Sequence, residues 1–155
     1  MTASLTCAKA KTMAVADACA LPARMESLAE ATGFVEAFCS KRDVGQGDRL
    51  RLRLMVEELF TNTVIHGHGG GSDDPVRIGL RADPQRVELS YEDSAPPFDP
   101  LEYVARSPVD STADVADRPV GQLGIALVVS MAERVSYVHE DGCNRLQLVL
   151  RRQVE

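Results

Sequence analysis

The chain lacks an excess of positive charge: its 155 residues carry 23 acidic against 17 basic side chains, a formal net charge of −6. Binding along a nucleic-acid backbone needs a basic footprint, and only the cluster of Arg49, Arg51 and Arg53 offers one. No direct nucleic-acid partner is therefore expected. Also missing is any C-x-x-C pair among the four cysteines, Cys7, Cys19, Cys39 and Cys143. That removes zinc-ribbon and thioredoxin-like readings and leaves four small thiols, reduced as in a cytoplasmic protein. No apolar run approaches the roughly 20 residues that span a bilayer. Residues 1–12 hold Lys9 and Lys11 but no apolar stretch of the signal-peptide kind. A flexible N-terminus over 1–12, no membrane contact and a cytoplasmic location are the expectations. There is no internal repeat. The length suits a single domain over 13–155, able to bury about 70% of the surface its unfolded chain exposes.

What is present is periodic. Met13 to Leu21 alternates weakly and stops at Pro22, as an edge strand would. Met25, Leu28, Val35, Phe38 and Cys39 fall at helical spacing between Ala23 and Lys41. Gly45-Gln46-Gly47 interrupts, and Asp48 is placed to N-cap a second helix. Leu52, Met55, Val56, Leu59 and Thr63 carry that helix to about Gly67. A glycine loop reaches Pro75. Val76, Ile78 and Leu80 then alternate with Arg77, Gly79 and Arg81, and Val87, Leu89 and Tyr91 return after Asp83-Pro84. Residues 96–120 are proline-rich with little apolar periodicity, the mark of a functional lid. A helix over Leu123–Ala132 and a hairpin around Asp141-Gly142 complete the chain. The order predicts an α/β two-layer sandwich, an antiparallel or mixed sheet with helices on one face. The other face would be partly exposed or covered by a second copy.

Three segments carry chemistry. Glu58 and Asn62 stand four apart, on one face of the second helix. Glu57 instead follows Arg53 by four, which predicts a surface ion pair. His66 lies four beyond Asn62. His66 and His68, two apart, cannot share a helix face and have no obvious third ligand, so a metal-hydrolase reading is set aside. Asp93 ends a strand in Tyr91-Glu92-Asp93-Ser94-Ala95-Pro96-Pro97-Phe98-Asp99-Pro100. Gly121 and Gly124 flank a helix start, where amides bind anions and glycine lets phosphate approach.

In this order and spacing, Met55–Gly67, Tyr91–Pro100 and Gly121–Ile125 resemble the N, G1 and G2 boxes of the Bergerat ATP-binding fold, the GHKL or histidine-kinase-like ATPase superfamily. The short chain is most similar in kind to its anti-sigma-factor serine kinases of the RsbW and SpoIIAB type, over residues 21–152. The resemblance implies ATP and Mg2+ as cofactors. It makes Glu58 the general base that takes the proton of a substrate serine hydroxyl. Asn62 would give its carbonyl oxygen to Mg2+, which takes few protein ligands and completes its shell from phosphate and water. His66 would line the same pocket, and Asp93 would accept from the adenine amino group. Ala95 and Pro97 stand where the family pattern has glycines. Pro97, Phe98 and Pro100 follow a D-x-G-P-P-F-x-P subgroup. Ala95 adds a Cβ where the backbone would need positive φ, a cost on the order of 1 kcal/mol. Gly121, Leu123, Gly124 and Ile125 would form the phosphate-binding helix start, with Gln122 in place of a further glycine. Arg118 is either a β- or γ-phosphate contact or an exposed lid arginine.

The same resemblance implies partners: a sigma factor or comparable regulator held in one state, and in the other a STAS-domain anti-anti-sigma factor phosphorylated on serine. Homodimers are usual in that family. The alternative is a nucleotide-gated protein-binding regulator without significant kinase activity, which Ala95 and Gln122 favour and which Glu58 and Asn62 oppose. No dimerising helical hairpin with a phosphorylatable histidine precedes the boxes, so a histidine kinase is not expected.

Overall fold

A computed structural model of the chain describes residues 17–106 and 122–153. Strand β1 (Asp17–Pro22) leads through a 3-10 turn (Met25–Ser27) into helix α1 (Leu28–Lys41) and helix α2 (Gln46–Asn62). Strands β2 (Pro75–Ala82) and β3 (Arg86–Asp93) follow, then helices α3 (Pro100–Arg106) and α4 (Gln122–Met131) and strands β4 (Arg134–Glu140) and β5 (Cys143–Arg151). The strands form one sheet in the order β1-β2-β3-β5-β4, antiparallel throughout. The two-layer sandwich read from the sequence is thus the observed fold, without a parallel pair.

Strand alternation builds the layers. Val87, Leu89, Tyr91 and Asp93 are buried while Arg86, Glu88, Ser90 and Glu92 lie on the other face of β3. The inward set continues across the register into Leu80 and Ile78 on one side and Leu146, Leu148 and Leu150 on the other. Leu52, Met55, Val56, Leu59 and Phe60 of α2 cover it. The outward face is an ion-pair ladder: Arg77 and Arg145 flank Glu92 at 3.7 and 2.5 Å, Arg81 pairs with Glu88, and Arg145 reaches Glu140 at 3.2 Å. Asp141 and Gly142, with φ of 55° and 77°, close the β4–β5 hairpin as a two-residue turn with both φ positive requires.

Four local expectations are corrected. Helix α2 begins at Gln46, so Gly45 is its N-cap and Asp48 lies in the first turn. There the Asp48 carboxylate, buried, accepts from Arg51 and from the backbone N–H of Gln153 at 3.0 Å, tying the end of β5 to the helix start. The helical pattern ends in a π-helical turn, Thr63–Gly67, closed by the His68 N–H on the Thr63 carbonyl at 2.9 Å. Part of the expected lid is helix α3: Asp99 caps it, accepting from the Leu101 N–H at 2.9 Å, and Glu102 pairs with Arg106. Cys143 is disulfide-bonded, whereas Cys19 and Cys39 are free thiols.

Candidate functional site

Helix α2 presents Glu58 and Asn62 on successive turns, and the two side chains share a condition that Glu57 does not. Glu57 takes Arg53 Nε at 3.0 Å, the pair its spacing predicts. Glu58 is half-buried and Asn62 likewise, and neither side chain has a hydrogen-bond or ion-pair partner among the described residues. Both are partly exposed, so water can satisfy them in the free protein. Open on one helix face, they leave a carboxylate and a carboxamide available to a ligand.

Asn62 opens onto a cavity of about 160 Å³. Thr63, His66 and Gly67 of the π turn line one wall, Tyr91 and Asp93 the floor, Ala95 to Phe98 the rim, and Asn144 and Leu146 the far side. That volume is well below the roughly 300 Å³ at which drug-sized sites begin. It takes a single ring system and leaves the rest of a larger ligand outside. The π turn matters here: such turns recur at functional sites because one extra residue redirects the side chains that follow.

The floor is a closed polar network. Asp93, 8% exposed, accepts from Thr63 Oγ1 at 2.8 Å through Oδ2, and from Asn144 Nδ2 at 2.8 Å and the Ala95 N–H at 3.1 Å through Oδ1. Asn144 uses every remaining group: its Nδ2 also meets the Ala95 and Pro96 carbonyls at 3.0 Å each, and its Oδ1 accepts from the Phe98 N–H at 3.0 Å and from the Tyr137 hydroxyl. One buried amide therefore fastens the whole loop after β3 to β5. Tyr91, fully buried, meets Thr63 Oγ1 at 2.6 Å. Burial, and next the charge of Asp93, push its phenol well above the ordinary value.

Ala95 corrects an expectation. Among the described residues only Asp43 and Asp141 are non-glycines at positive φ, so Ala95 carries no left-handed strain. Its buried Cβ is accommodated by Gly67, where a Cβ would come within 2.7 Å of it. The glycine that makes room stands in the helix-derived wall, not in the loop.

Glu58 reaches away from the cavity toward α4. A Cβ built on Gly124 would overlap Glu58 Oε2 and lie 2.7 Å from its Cδ. Ile125, one residue on, is 2% exposed and belongs to the core, so it can meet a ligand only through its backbone. Leu123 lies within α4. Arg118 and Gly121 lie outside the described residues. His66 and Pro97 line the cavity as expected. Sequence reasoning missed Thr63, Tyr91 and Asn144 as site residues; Thr63 and Tyr91 were read as apolar-period positions, and Asn144 carried no local signal.

Asn62 and Asp93 thus line one ring-sized cavity from a helix and the end of a central strand, with Glu58 one turn away on the same helix and turned toward α4, on an antiparallel sheet backed by helices. These features define an α/β sandwich with a polar-floored cavity at the end of its central strand. The model of the histidine kinase-like ATPase domain matches residues 21–150, and the chain belongs to that family. It is similar to an anti-sigma F factor of Halalkalibacterium halodurans, at 29% identity over 115 residues, 74% of this chain and 75% of that protein. The crystal structure of the RsbU and RsbW domains of a Mycobacterium tuberculosis protein aligns at a TM-score of 0.59 and 14% identity, over 90% of this chain and 34% of that one. The SiaB–SiaC complex structure from Pseudomonas aeruginosa aligns at 0.54 and 11%, over 88% and 90%. At these identities the structural likeness is one of fold. Among the described residues no helix is long and apolar enough to cross a membrane, and no group of three His, Cys, Asp or Glu side chains could hold a metal.

Proposed function

We propose that the chain binds Mg2+-ATP in this site and acts as a serine kinase and anti-sigma factor in a partner-switching system. The observation that carries the reading is the unpartnered pair Glu58 and Asn62 beside a cavity floored by Asp93. The adenine ring would occupy the cavity, its amino group on Asp93, with the phosphates running along α2 toward the first turn of α4.

The donor set fits the metal. Mg2+ prefers hard oxygen ligands and keeps water and phosphate in most positions, so the single free carbonyl oxygen of Asn62 suffices on the protein side. Bound there, the ion would neutralise phosphate charge. The chain's own part is positional and acid–base. Glu58 accepts the proton of a serine hydroxyl as its oxygen bonds to the γ-phosphorus; the bond from that phosphorus to the β–γ bridging oxygen breaks, and ADP leaves with the electron pair. A carboxylate without an internal partner is free to take that proton, which the paired Glu57 is not.

The similarity to an anti-sigma F factor supports a sigma factor or comparable regulator as one partner and a STAS-domain anti-anti-sigma protein as the phosphorylated one. Residues 13–155 would act as a single unit and as a homodimer in the manner of the resembling kinases, with the segment 96–120 as a substrate-facing lid, of which 107–120 lie outside the described residues. The test is transfer of labelled γ-phosphate from Mg2+-ATP to a cognate STAS-domain protein. Transfer to a serine is expected; nucleotide binding without transfer would favour the gated-binder alternative.

A further inference from the structure

Among the described residues Thr63 is the one whose side chain hydrogen-bonds both the buried phenol of Tyr91 and the carboxylate of Asp93. It is 3% exposed and opens the π turn. Its hydroxyl has one hydrogen and three neighbours: the Leu59 carbonyl at 3.0 Å, Tyr91 Oη at 2.6 Å and Asp93 Oδ2 at 2.8 Å. The assignment of hydrogens follows from need. The Tyr91 hydroxyl has no other partner among the described residues, and a buried O–H left without an acceptor is costly, so Tyr91 donates to Thr63. The Thr63 hydrogen then goes to the stronger acceptor, an ionised carboxylate in place of a carbonyl already used in the helix.

We infer that Thr63 is a positioning residue that sets nucleobase selection by holding Asp93. This rests on the reading of the cavity as a base pocket. A carboxylate has about four lone-pair sites. The Ala95 N–H and Asn144 take those of Oδ1, and Thr63 takes one of Oδ2. One acceptor position remains on Asp93, on the oxygen that Thr63 fixes. The carboxylate therefore presents a single, oriented acceptor and no donor. Such a group welcomes an exocyclic amine and repels a carbonyl at the same place on the ring. Without the Thr63 bond, Oδ2 keeps its charge but loses its anchor, and discrimination between the two ring edges weakens.

The experiment uses the full chain and calorimetric titration with ATP and GTP. Thr63→Val alone would orphan the Tyr91 hydroxyl, so the test variant is Thr63→Val with Tyr91→Phe, which leaves Asp93 Oδ2 as the one group of the three that loses its partner. Tyr91→Phe alone and Thr63→Ser are the controls, because both retain the donor to Asp93. The double variant is expected to lose about tenfold more of the ATP-over-GTP preference than either Tyr91→Phe or Thr63→Ser, the scale of one hydrogen bond to a charged group. A double variant that keeps the wild-type preference, or loses affinity for ATP and GTP in equal measure, overturns the inference and leaves nucleotide binding standing. A wild-type chain that binds neither nucleotide overturns the base-pocket reading itself.

Discussion

Gly124, in the first turn of α4, lies against the carboxylate of Glu58 on α2, so close that a methyl group at 124 and Glu58 Oε2 could not both keep their places. The helix expected to carry phosphate and the residue expected to take the proton are thus in direct contact. Gly124→Ala should fold, since the atom it displaces is the end of a flexible side chain and alanine is the better helix former by about 0.5–1 kcal/mol. Its cost should fall on transfer. We expect phosphoryl transfer to drop at least about tenfold, within the 10²- to 10⁴-fold range of a lost general base, with ATP affinity changed far less. Parallel measurement of transfer rate and ATP affinity checks this; an equal loss of both would assign Gly124 to phosphate contact alone.

Glu58→Gln should keep nucleotide affinity and lose transfer by about 10²- to 10⁴-fold. Glu57→Gln should alter little, because Glu57 sits in an exposed pair with Arg53 of the kind that contributes about 0–1 kcal/mol. Single-turnover transfer by the two variants compares them directly.

Asn144→Ala should be among the costlier single substitutions. It strips the Asn144 donor from the Ala95 and Pro96 carbonyls and from one oxygen of Asp93, which keeps Thr63 and the Ala95 N–H, while the Phe98 N–H keeps the Tyr137 hydroxyl; a buried group left without a partner costs about 1–3 kcal/mol. A loss of about 2–4 kcal/mol in urea unfolding is expected, together with weaker ATP binding as the loop after β3 loosens.

Alkaline pH should destabilise the fold. Burial pushes the Cys39 thiol up to about 11, and it pushes the Tyr91 phenol well above its ordinary 10.0. The unfolded thiol titrates from its ordinary 9.0, so both groups are neutral in either state only below about pH 8, and their contribution is fully present there. Above that, the unfolded chain releases protons the folded one retains, and stability falls as pH climbs toward the folded values. Tyr91→Phe should flatten the decline above pH 10 by up to about 1.4 kcal/mol per pH unit. Urea midpoints at pH 8, 9, 10 and 11 provide the check.

The Glu58–Asn62 face and the strands were legible because their signals are local: four-residue spacing on a helix and two-residue alternation on β2 and β3. Asn144 was not, because it meets Asp93 across 51 residues through the β3–β5 register, and no local pattern distinguishes a hub asparagine from a turn residue. Thr63 kept the helical period and was read as core; it is buried, but with its hydroxyl in use. Helix α3 did have a local signal. Asp99-Pro100 is a capping residue followed by proline at the first helical position, overshadowed by the surrounding prolines. The space for Ala95 comes from Gly67, 28 positions earlier, a compensation visible only in three dimensions.

The central claim is that Asp93 and Asn62 bind the two ends of one Mg2+-adenine nucleotide, and calorimetric titration of the wild-type chain, Asp93→Asn and Asn62→Ala with ATP, with and without Mg2+, tests it most directly. The account predicts saturable one-site binding by the wild type that tightens with Mg2+. Asn62→Ala should lose that tightening and retain the metal-free affinity. Asp93→Asn should lose affinity in both conditions, since its amide would turn an N–H₂ toward donors that now meet a carboxylate. Binding that ignores Mg2+ in the wild type, or an Asp93→Asn variant that binds ATP as the wild type does, would contradict the account.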